Sequence, residues 1–369
     1  MKYSIILPCY NISAYIETCL NSIFRNDTTS CEIILINDGS ADNTLEIIKK
    51  YFKINGGGET LTATYKSTPI QIYTQDNSGV SKARNKGIEL ARGEYLLFID
   101  PDDSVSDQYI KEIDEAISFY QIPDLLYFGF NQQILNAQCE VINSMKYYPK
   151  DNYCFSNKED VFQHLFPKYI GYSVSNISDW GNMKKTLNML EWGACWRVAY
   201  RRELLIKYNI RFNSEIKMNE DSMFNALATL YATKTASIDK GLYNYYLRTT
   251  GALNSQLSSK VIQNKEALFK ERERITNLAQ TNGFNVDESC YAGSVVMGII
   301  EMFAKSSFDD WVKLREIIAN KTTQKCIELI PLTKNVKFCV CAALLKMHLS
   351  FILFLLIQFA KKIGIEFKP

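Results

Sequence analysis

The stretch Glu32-Ile33-Ile34-Leu35-Ile36-Asn37-Asp38-Gly39-Ser40 contains four consecutive large aliphatic residues followed by a polar turn. A continuous apolar run of this kind is typical of a strand that is buried on both faces, as in a parallel sheet covered by helices. The stretch Tyr95-Leu96-Leu97-Phe98-Ile99-Asp100-Pro101-Asp102-Asp103 has the same pattern and ends on aspartates. These two stretches therefore predict buried parallel strands that carry acidic side chains at their carboxyl ends.

Strand and helix patterns alternate from the first residues to about residue 130. Further strands are predicted at 4–7, 70–73 and 125–128, and apolar residues at helical spacing predict helices at 15–24, 45–52, 80–90 and 107–119. This order predicts an α/β fold with a Rossmann-like, mostly parallel sheet and helices on both faces. Beyond Ser258 the pattern is helical, which predicts a helical C-terminal region.

The composition limits the classes of protein to consider. The 369 residues are 47% hydrophobic and carry a formal net charge of +2, which allows a sizeable core and argues against a protein that coats nucleic acid.

The ten cysteines include no pair of Cys-x-x-Cys units for zinc, and buried free thiols in a reducing compartment are expected. Neither His164 nor His348 lies near a nucleophile motif, which argues against a Ser-His-Asp hydrolase. The apolar residues 3–7 are too few for a secretory signal, so a cytosolic N-terminal domain is expected.

Polar turns follow three of the predicted strands. They are Pro8-Cys9-Tyr10-Asn11, Asn37-Asp38-Gly39-Ser40 and Asp100-Pro101-Asp102-Asp103, and a further polar loop, Gln75-Asp76-Asn77-Ser78-Gly79, precedes the helix that contains Arg84. Ligands of open α/β sheets bind beyond the carboxyl ends of the strands. The sequence therefore predicts one cleft lined by carboxylates and loop amides.

Each acidic motif has a structural reading beside the functional one. Asp100 and Asp102 can reach one Mn²⁺ or Mg²⁺ ion through hard carboxylate oxygens, or they can form an Asp-Pro turn that caps the next helix. Asp38 can accept a hydrogen bond from a nucleobase, or it can belong to a tight turn with Ser40 as a helix cap. Glu220 and Asp221 can supply a general base, or they can simply complement a helix dipole.

Taken in order, four segments resemble the inverting glycosyltransferases of family 2, which have the GT-A fold. The segments are residues 4–11, 32–42, 77–87 and 95–103, which resemble the family's opening strand with its Pro-x-Tyr-Asn turn, its Asp-Gly-Ser turn, its Gly-x-x-x-Ala-Arg-Asn helix and its Asp-x-Asp strand. The resemblance is strongest up to residue 105 and extends to about residue 250. It implies a GT-A catalytic domain at 1–250, followed by a helical region at 251–333 and a tail at 334–369.

The resemblance also implies roles for individual residues. Asp221, paired with Glu220, would be the catalytic base, and Asp100 and Asp102 would hold the metal, with Asp102 the firmer ligand. The residues implied in donor binding are Pro8, Tyr10, Asn11, Asp38, Asn77, Lys82, Arg84, Asp100, Asp102, Asp103, Trp196 and Arg248. Among these, Asp103 would support the donor sugar or the turn, Lys82 can equally be a solvated helix charge, Trp196 lies in a segment implied in sugar contacts, and Arg248 would approach the diphosphate.

The function implied is transfer of one hexose or N-acetylhexosamine from a UDP-sugar to an acceptor hydroxyl, with inversion and with Mn²⁺ or Mg²⁺ as cofactor. Cell-surface polysaccharide or lipid-linked oligosaccharide assembly is the implied setting. The sequence contains no Gln-x-x-Arg-Trp motif, which favours transfer of single sugars over processive synthesis. Two alternatives stay open: a catalytically silent binding protein with this fold, and a sugar nucleotidylyltransferase, which would be expected to carry a glycine-rich basic loop after its first strand.

The tail contains the most apolar stretch of the chain, residues 338–360, interrupted by Lys346, His348, Ser350 and Gln358. Lysines lie on both sides of this stretch. A helix that lies in the membrane interface is the favoured prediction, with a helix packed on the protein body and a membrane span as alternatives. We therefore expect a cytoplasmic protein with a peripheral contact at the inner face of the cell membrane.

Overall fold

The structure is a computed structural model that describes residues 1–136, 138, 140–149, 152–174, 193–248, 258–331 and 336–363. Its strands are β1 (Tyr3–Cys9), β2 (Cys31–Asp38), β3 (Thr60–Tyr65), β4 (Thr68–Gln75), β5 (Tyr95–Phe98), β6 (Ser104–Val105), β7 (Leu125–Leu135), β8 (Val141–Tyr147), β9 (Cys154–Phe155), β10 (Val198–Arg201) and β11 (Thr235–Arg248). Its helices are α1 (Ile16–Ile23), α2 (Thr44–Phe52), α3 (Val80–Leu90), α4 (Tyr109–Phe119), α5 (Lys158–Ile170), α6 (Arg202–Lys207), α7 (Glu220–Tyr231), α8 (Ser258–Thr281), α9 (Ala292–Lys305), α10 (Trp311–Ala319), α11 (Lys321–Leu329), α12 (Val336–Lys346) and α13 (Ser350–Lys362).

The described strands form one mixed sheet in the order β3-β4-β2-β1-β5-β10-β7-β11-β6, with β8 paired to β7 and β9 paired to β11. The strands β4, β2, β1 and β5 run parallel to one another, and β7 runs parallel to β11. Strand β10 lies antiparallel between β5 and β7. The five predicted strands are confirmed as β1, β2, β4, β5 and β7.

Helices cover both faces of the parallel strands. Every residue of β1, β2 and β5 is buried, as the continuous apolar runs predict. Alternate side chains point to opposite faces, so Ile5 packs in a cluster with α1 and α4 while Ile6 faces α3. A Cβ at Gly87 of α3 would lie 2.3 Å from the Ile6 side chain, so glycine lets this helix pack closely on the strand. The predicted α/β fold class is confirmed.

The chain divides into two compact units that interleave along the sequence. The first contains residues 1–161, 194–214 and 231–252, and the second contains 162–193, 215–230 and 253–369. The sheet belongs to the first unit. The predicted boundaries near residues 250 and 333 stay predictions.

The second unit contains helices α8 to α13. The two tail helices belong to it, and α13 packs Phe354 against Phe303 and Trp311. The side chain of Gln358 donates hydrogen bonds to the carbonyl groups of Phe303 and Ser306 at 2.7 and 3.0 Å. Within the ranges given above, no helix has the combination of length and apolarity that would cross a membrane.

Candidate functional site

Asp38, the last residue of β2, fixes the polar loop that precedes α3. Its Oδ1 atom accepts hydrogen bonds from Gln75 Nε2 at 2.7 Å and from the Ser78 N–H at 2.9 Å. Its Oδ2 atom accepts from the Gly79 N–H at 2.8 Å. Because the carboxylate is buried and already accepts three hydrogen bonds, its observed task is to hold the loop. The predicted contact of Asp38 with a nucleobase stays a prediction.

Gly39 allows this loop to approach the end of β2. Its φ of +68° lies in the left-handed region, and a Cβ there would lie 2.6 Å from the Asn77 nitrogen. The backbone of Asn77 is therefore held directly against the turn that follows β2.

Asn11 connects the turn after β1 with the turn after β2. Its Oδ1 accepts a hydrogen bond from the Ala41 N–H at 2.8 Å, and its own N–H donates to Ser40 Oγ at 3.2 Å. Pro8 is buried, whereas the ring of Tyr10 is 48% exposed. The structure thus brings the first two predicted turns together and leaves an aromatic ring accessible beside them.

The two predicted metal ligands each contact an arginine. Arg84 Nη2 of α3 donates to Asp100 Oδ1 at 2.9 Å, and the arginine is buried. Arg248 Nη1 at the end of β11 donates to Asp102 Oδ2 at 3.0 Å, and its Nη2 donates to the Asp102 carbonyl at 2.6 Å. Both arginines that the sequence predicts for donor binding therefore lie at the acidic turn after β5.

Asp103 is buried and acts on the turn itself. Its Oδ2 accepts from the Tyr243 hydroxyl at 2.9 Å, and its Oδ1 accepts from the Tyr246 N–H at 2.9 Å. The Tyr243 oxygen also accepts from the Asp100 N–H at 3.1 Å. Of the two roles implied for Asp103, support of the turn is the one that these contacts favour. Tyr243 is not among the site residues predicted from the sequence, although Arg248, five residues further along β11, is one of them.

Burial and neighbouring charges shift the acidities at this turn. Burial and the Asp100 charge raise the pKa of Asp102, and Arg248 partly offsets that rise. Burial, followed by the charges of Asp102 and Asp100, raises the pKa of Asp103 well above its usual range. Burial and the same three aspartates raise the pKa of Tyr245. The negative charge of the turn is therefore only partly compensated, which favours a cation beside it.

Trp196 is buried in an aromatic cluster. Its ring stacks on Tyr243 with centroids 4.3 Å apart, and it contacts Tyr245 at 5.6 Å and Phe130 at 4.9 Å. The cluster backs the acidic turn through Tyr243. The contact of Trp196 with a donor sugar stays a prediction. Residues 191 and 192, the first two of the segment 191–201 that is implied in sugar contacts, lie outside the described residues.

Three further predicted residues are placed by their helices. Lys82 is exposed on α3, as a solvated helix charge would be. Glu220 and Asp221 are the first two residues of α7 and are half-buried in the second unit. Their predicted catalytic role stays a prediction.

The donor atoms at the acidic turn fit a hard divalent cation that is shared with phosphates. The Asp100 and Asp102 side chains are 26% and 44% exposed, so their oxygens are accessible. Mg²⁺ is commonly held by one or two carboxylates together with substrate phosphates. Within the described ranges, no group of three or more His, Cys, Asp or Glu side chains is placed to hold a metal. In the same ranges, the buried Nε of Arg248 has no hydrogen-bond partner.

Comparisons with known proteins point to one family. The family model described as "Glycosyl transferase family 2" matches residues 4–121. The uncharacterized glycosyltransferase EpsJ of Bacillus subtilis is 31% identical over 66% of this chain and 60% of its own length. The uncharacterized glycosyltransferase YibD of Escherichia coli is 30% identical over 68% of this chain and 62% of its own length. This chain thus spans about three fifths of the length of either relative.

Solved structures share the fold at low identity. The crystal structure of residues 1–349 of TarS from S. aureus has a TM-score of 0.56 and 18% identity, and the match covers 100% of this chain and 93% of that one. The TarS complex with UDP-GlcNAc has a TM-score of 0.59 and 17% identity over the same shares.

Proposed function

The chain belongs to glycosyl transferase family 2 through residues 4–121, and from this premise we propose that it transfers one hexose or N-acetylhexosamine from a UDP-sugar to an acceptor hydroxyl. The observation that carries the proposal is the convergence of Asp38, Arg84, Asp100, Asp102 and Arg248 on the carboxyl ends of β2 and β5. Two cationic side chains beside two carboxylates suit a metal-bound diphosphate.

The nucleoside would bind between the turn after β1 and the loop before α3. Tyr10 offers an accessible ring for the base, and Asn77 is held in place through Asp38 and Gly39. Related structures support the choice of nucleotide, because TarS has been crystallised with UDP and with UDP-GlcNAc.

Asp100 and Asp102 would hold Mn²⁺ or Mg²⁺ together with the diphosphate. A bound ion of this kind neutralises the charge that builds on a departing diphosphate. Arg84 and Arg248 would hold the phosphate oxygens from either side. Asp103 and Tyr243 keep the backbone of the acidic turn in position for both tasks.

Asp221 would act as the general base, and Glu220 would assist it. The carboxylate takes the proton of the acceptor hydroxyl while the oxygen attacks the anomeric carbon. UDP leaves from the opposite side, so one displacement inverts the anomeric configuration. Half-burial of Asp221 at the first turn of α7 supports this role, because it keeps the carboxylate accessible.

The acceptor would be a cell-surface polysaccharide or a lipid-linked oligosaccharide, reached at the inner face of the cell membrane. One relative, 26% identical over 68% of this chain, is the poly(ribitol-phosphate) beta-N-acetylglucosaminyltransferase TarS of Staphylococcus aureus, which supports a polymeric acceptor. The tail supports the membrane contact. Helix α13 and the residue after it expose an apolar stripe, formed by Ile352, Leu355, Leu356, Phe359 and Ile363.

Charge complements this stripe. Residues 329–365 contain no aspartate or glutamate but include five lysines: Lys334, Lys337, Lys346, Lys361 and Lys362. Helices that expose an apolar face beside lysines bind anionic lipid surfaces. We therefore propose a peripheral contact through α13.

The proposal is tested by UDP release from UDP-Glc, UDP-Gal, UDP-GlcNAc and UDP-GalNAc in the presence of Mn²⁺. We expect slow hydrolysis of one donor by the wild-type protein and its loss in Asp102→Ala. Asp107→Ala is the matched control, since Asp107 is exposed and pairs with the exposed Arg25 at 2.6 Å. Equal activity in both variants would show that the acidic turn does not serve the donor.

A further inference from the structure

Arg248 holds Asp102 at two points. Its Nη1 donates to the carboxylate Oδ2 at 3.0 Å, and its Nη2 donates to the backbone carbonyl of the same residue at 2.6 Å. The guanidinium carbon also lies 4.1 Å from the centroid of the Tyr15 ring. The side chain is only 18% exposed, so it is seated on the turn and does not extend into solvent.

The second arginine at the turn is arranged differently. Arg84 contacts Asp100 through Nη2 at 2.9 Å, but it is buried, lies over the Phe212 ring at 5.4 Å and belongs to the middle of α3. Arg248 lies at the end of β11, and in the described part of the chain its buried Nε atom has no hydrogen-bond partner. Arg248 therefore keeps an unused donor that an added anion could satisfy.

A divalent cation and Arg248 compete for the same carboxylate. A cation bound to Asp102 needs a carboxylate oxygen, and the guanidinium engages Oδ2. A cation at that oxygen would also stand a few ångströms from a fixed positive charge, where like charges repel strongly. A bound diphosphate weakens this competition. Its oxygens can accept two hydrogen bonds from the guanidinium of Arg248, which then no longer needs the carboxylate of Asp102.

We propose that Arg248 hinders the binding of divalent cations to Asp102 until a diphosphate binds the guanidinium of Arg248. Metal and nucleotide therefore bind with positive coupling. This inference rests on the proposed function, because it concerns the same donor site. By linkage, the factor by which UDP tightens Mn²⁺ binding equals the factor by which Mn²⁺ tightens UDP binding. Most of that factor should come from the two-point contact between Arg248 and Asp102.

The experiment measures Mn²⁺ affinity from the electron paramagnetic resonance signal of free Mn²⁺, with and without UDP. The test variant is Arg248→Met, which removes the charge but keeps an unbranched side chain for Tyr15. Arg248→Lys keeps the charge and loses the two-point contact. The matched control is Arg201→Met, since Arg201 pairs with Glu203 at 2.7 Å and lies beside Tyr95, at the opposite end of β5 from Asp100. Thermal unfolding of each variant checks that it is folded.

In Arg248→Met we expect Mn²⁺ alone to bind at least roughly tenfold more tightly than in the wild-type protein, and UDP to tighten Mn²⁺ binding by a smaller factor. The Mn²⁺ affinity of Arg248→Lys should lie between those of the wild-type protein and Arg248→Met, and the Mn²⁺ affinity of Arg201→Met should match that of the wild-type protein. Unchanged or weaker Mn²⁺ binding in Arg248→Met, or no Mn²⁺ binding in any protein, overturns the inference. Tighter Mn²⁺ binding in Arg248→Met, without UDP binding by any of the proteins, would support the competition between Arg248 and the cation, but it would overturn the coupling with UDP and contradict the proposed donor.

Discussion

The Tyr243 hydroxyl donates a hydrogen bond to Asp103 Oδ2 at 2.9 Å, and both residues are buried. The same oxygen accepts the Asp100 N–H, so one tyrosine from β11 fixes both ends of the acidic turn after β5. Neither residue has to contact a ligand in order to affect ligand binding. The pair determines where Asp100 and Asp102 lie, and the first prediction follows from it.

Tyr243→Phe should destabilise the protein and weaken binding of UDP with Mn²⁺. Removing the hydroxyl leaves a buried carboxylate short of one donor, which costs about 1–3 kcal/mol, and releases the Asp100 N–H. The control is Tyr95→Phe, because Tyr95 is equally buried but donates to the Pro123 carbonyl at 2.6 Å at the other end of β5. Thermal unfolding should show a loss in both variants, and calorimetry should show weaker nucleotide binding only in Tyr243→Phe. Wild-type nucleotide affinity in Tyr243→Phe would contradict the role assigned to the pair.

Gly39→Ala should lower the affinity for UDP through the loop before α3. The new Cβ would lie 2.6 Å from the Asn77 nitrogen, so the loop has to move. The positive φ adds a cost of more than about 1 kcal/mol on its own. Gly56→Ala separates the two effects, since Gly56 also has a positive φ (+99°) but no atom within 4 Å of its Cβ position. Calorimetric titration should show weaker UDP binding in Gly39→Ala alone, and equal affinities would exclude the loop as part of the nucleotide site.

Asp221→Asn should lower turnover by at least about 100-fold without changing UDP affinity, because a general base acts only on the acceptor. Glu220→Gln removes only the assisting carboxylate and should therefore retain much more activity than Asp221→Asn. Turnover is measured with the donor identified by the UDP-release screen and a panel of glycan acceptors. If Asp221→Asn turns over normally while Asp102→Ala does not, the base is another residue.

The double variant Leu356→Glu/Phe359→Glu should lose binding to anionic vesicles, because it places two charges in the exposed apolar stripe of α13. The buried face of this helix, which includes Leu353 and Phe354, is left unchanged. Phe119→Glu is the control, since Phe119 is 78% exposed on α4 of the first unit. Flotation with phosphatidylglycerol vesicles measures binding. If the wild-type protein does not float with these vesicles, the proposed membrane contact through α13 is wrong.

Local patterns in the sequence are sufficient to predict the parallel half of the fold. The runs at 33–36 and 95–99 are apolar without interruption because both faces of β2 and β5 are covered. The position of β10 could not be predicted in the same way. Ala199 pairs with Leu97 on one side and with Leu126 on the other, and such distant pairing leaves no local signal.

The site shows the same division between local and distant information. The acidic turn and both arginines are recognisable from motifs, but the partner of each charge is not. Asp38 accepts hydrogen bonds from a loop nearly 40 residues further along the chain, and Asp103 accepts one from Tyr243. The burial of Trp196 against Tyr243 is likewise decided by tertiary packing and has no local signal in the sequence.

Calorimetric titration of UDP, GDP and CDP into the purified protein, with and without Mn²⁺, tests the central claim most directly. We predict that UDP is the only one of these three nucleotides that binds tightly and that its binding depends on Mn²⁺. We also predict that Asp102→Ala abolishes the dependence of UDP binding on Mn²⁺. Equal binding of all three nucleotides, or no binding by a protein shown to be folded, would contradict a UDP-sugar donor at the turn after β5.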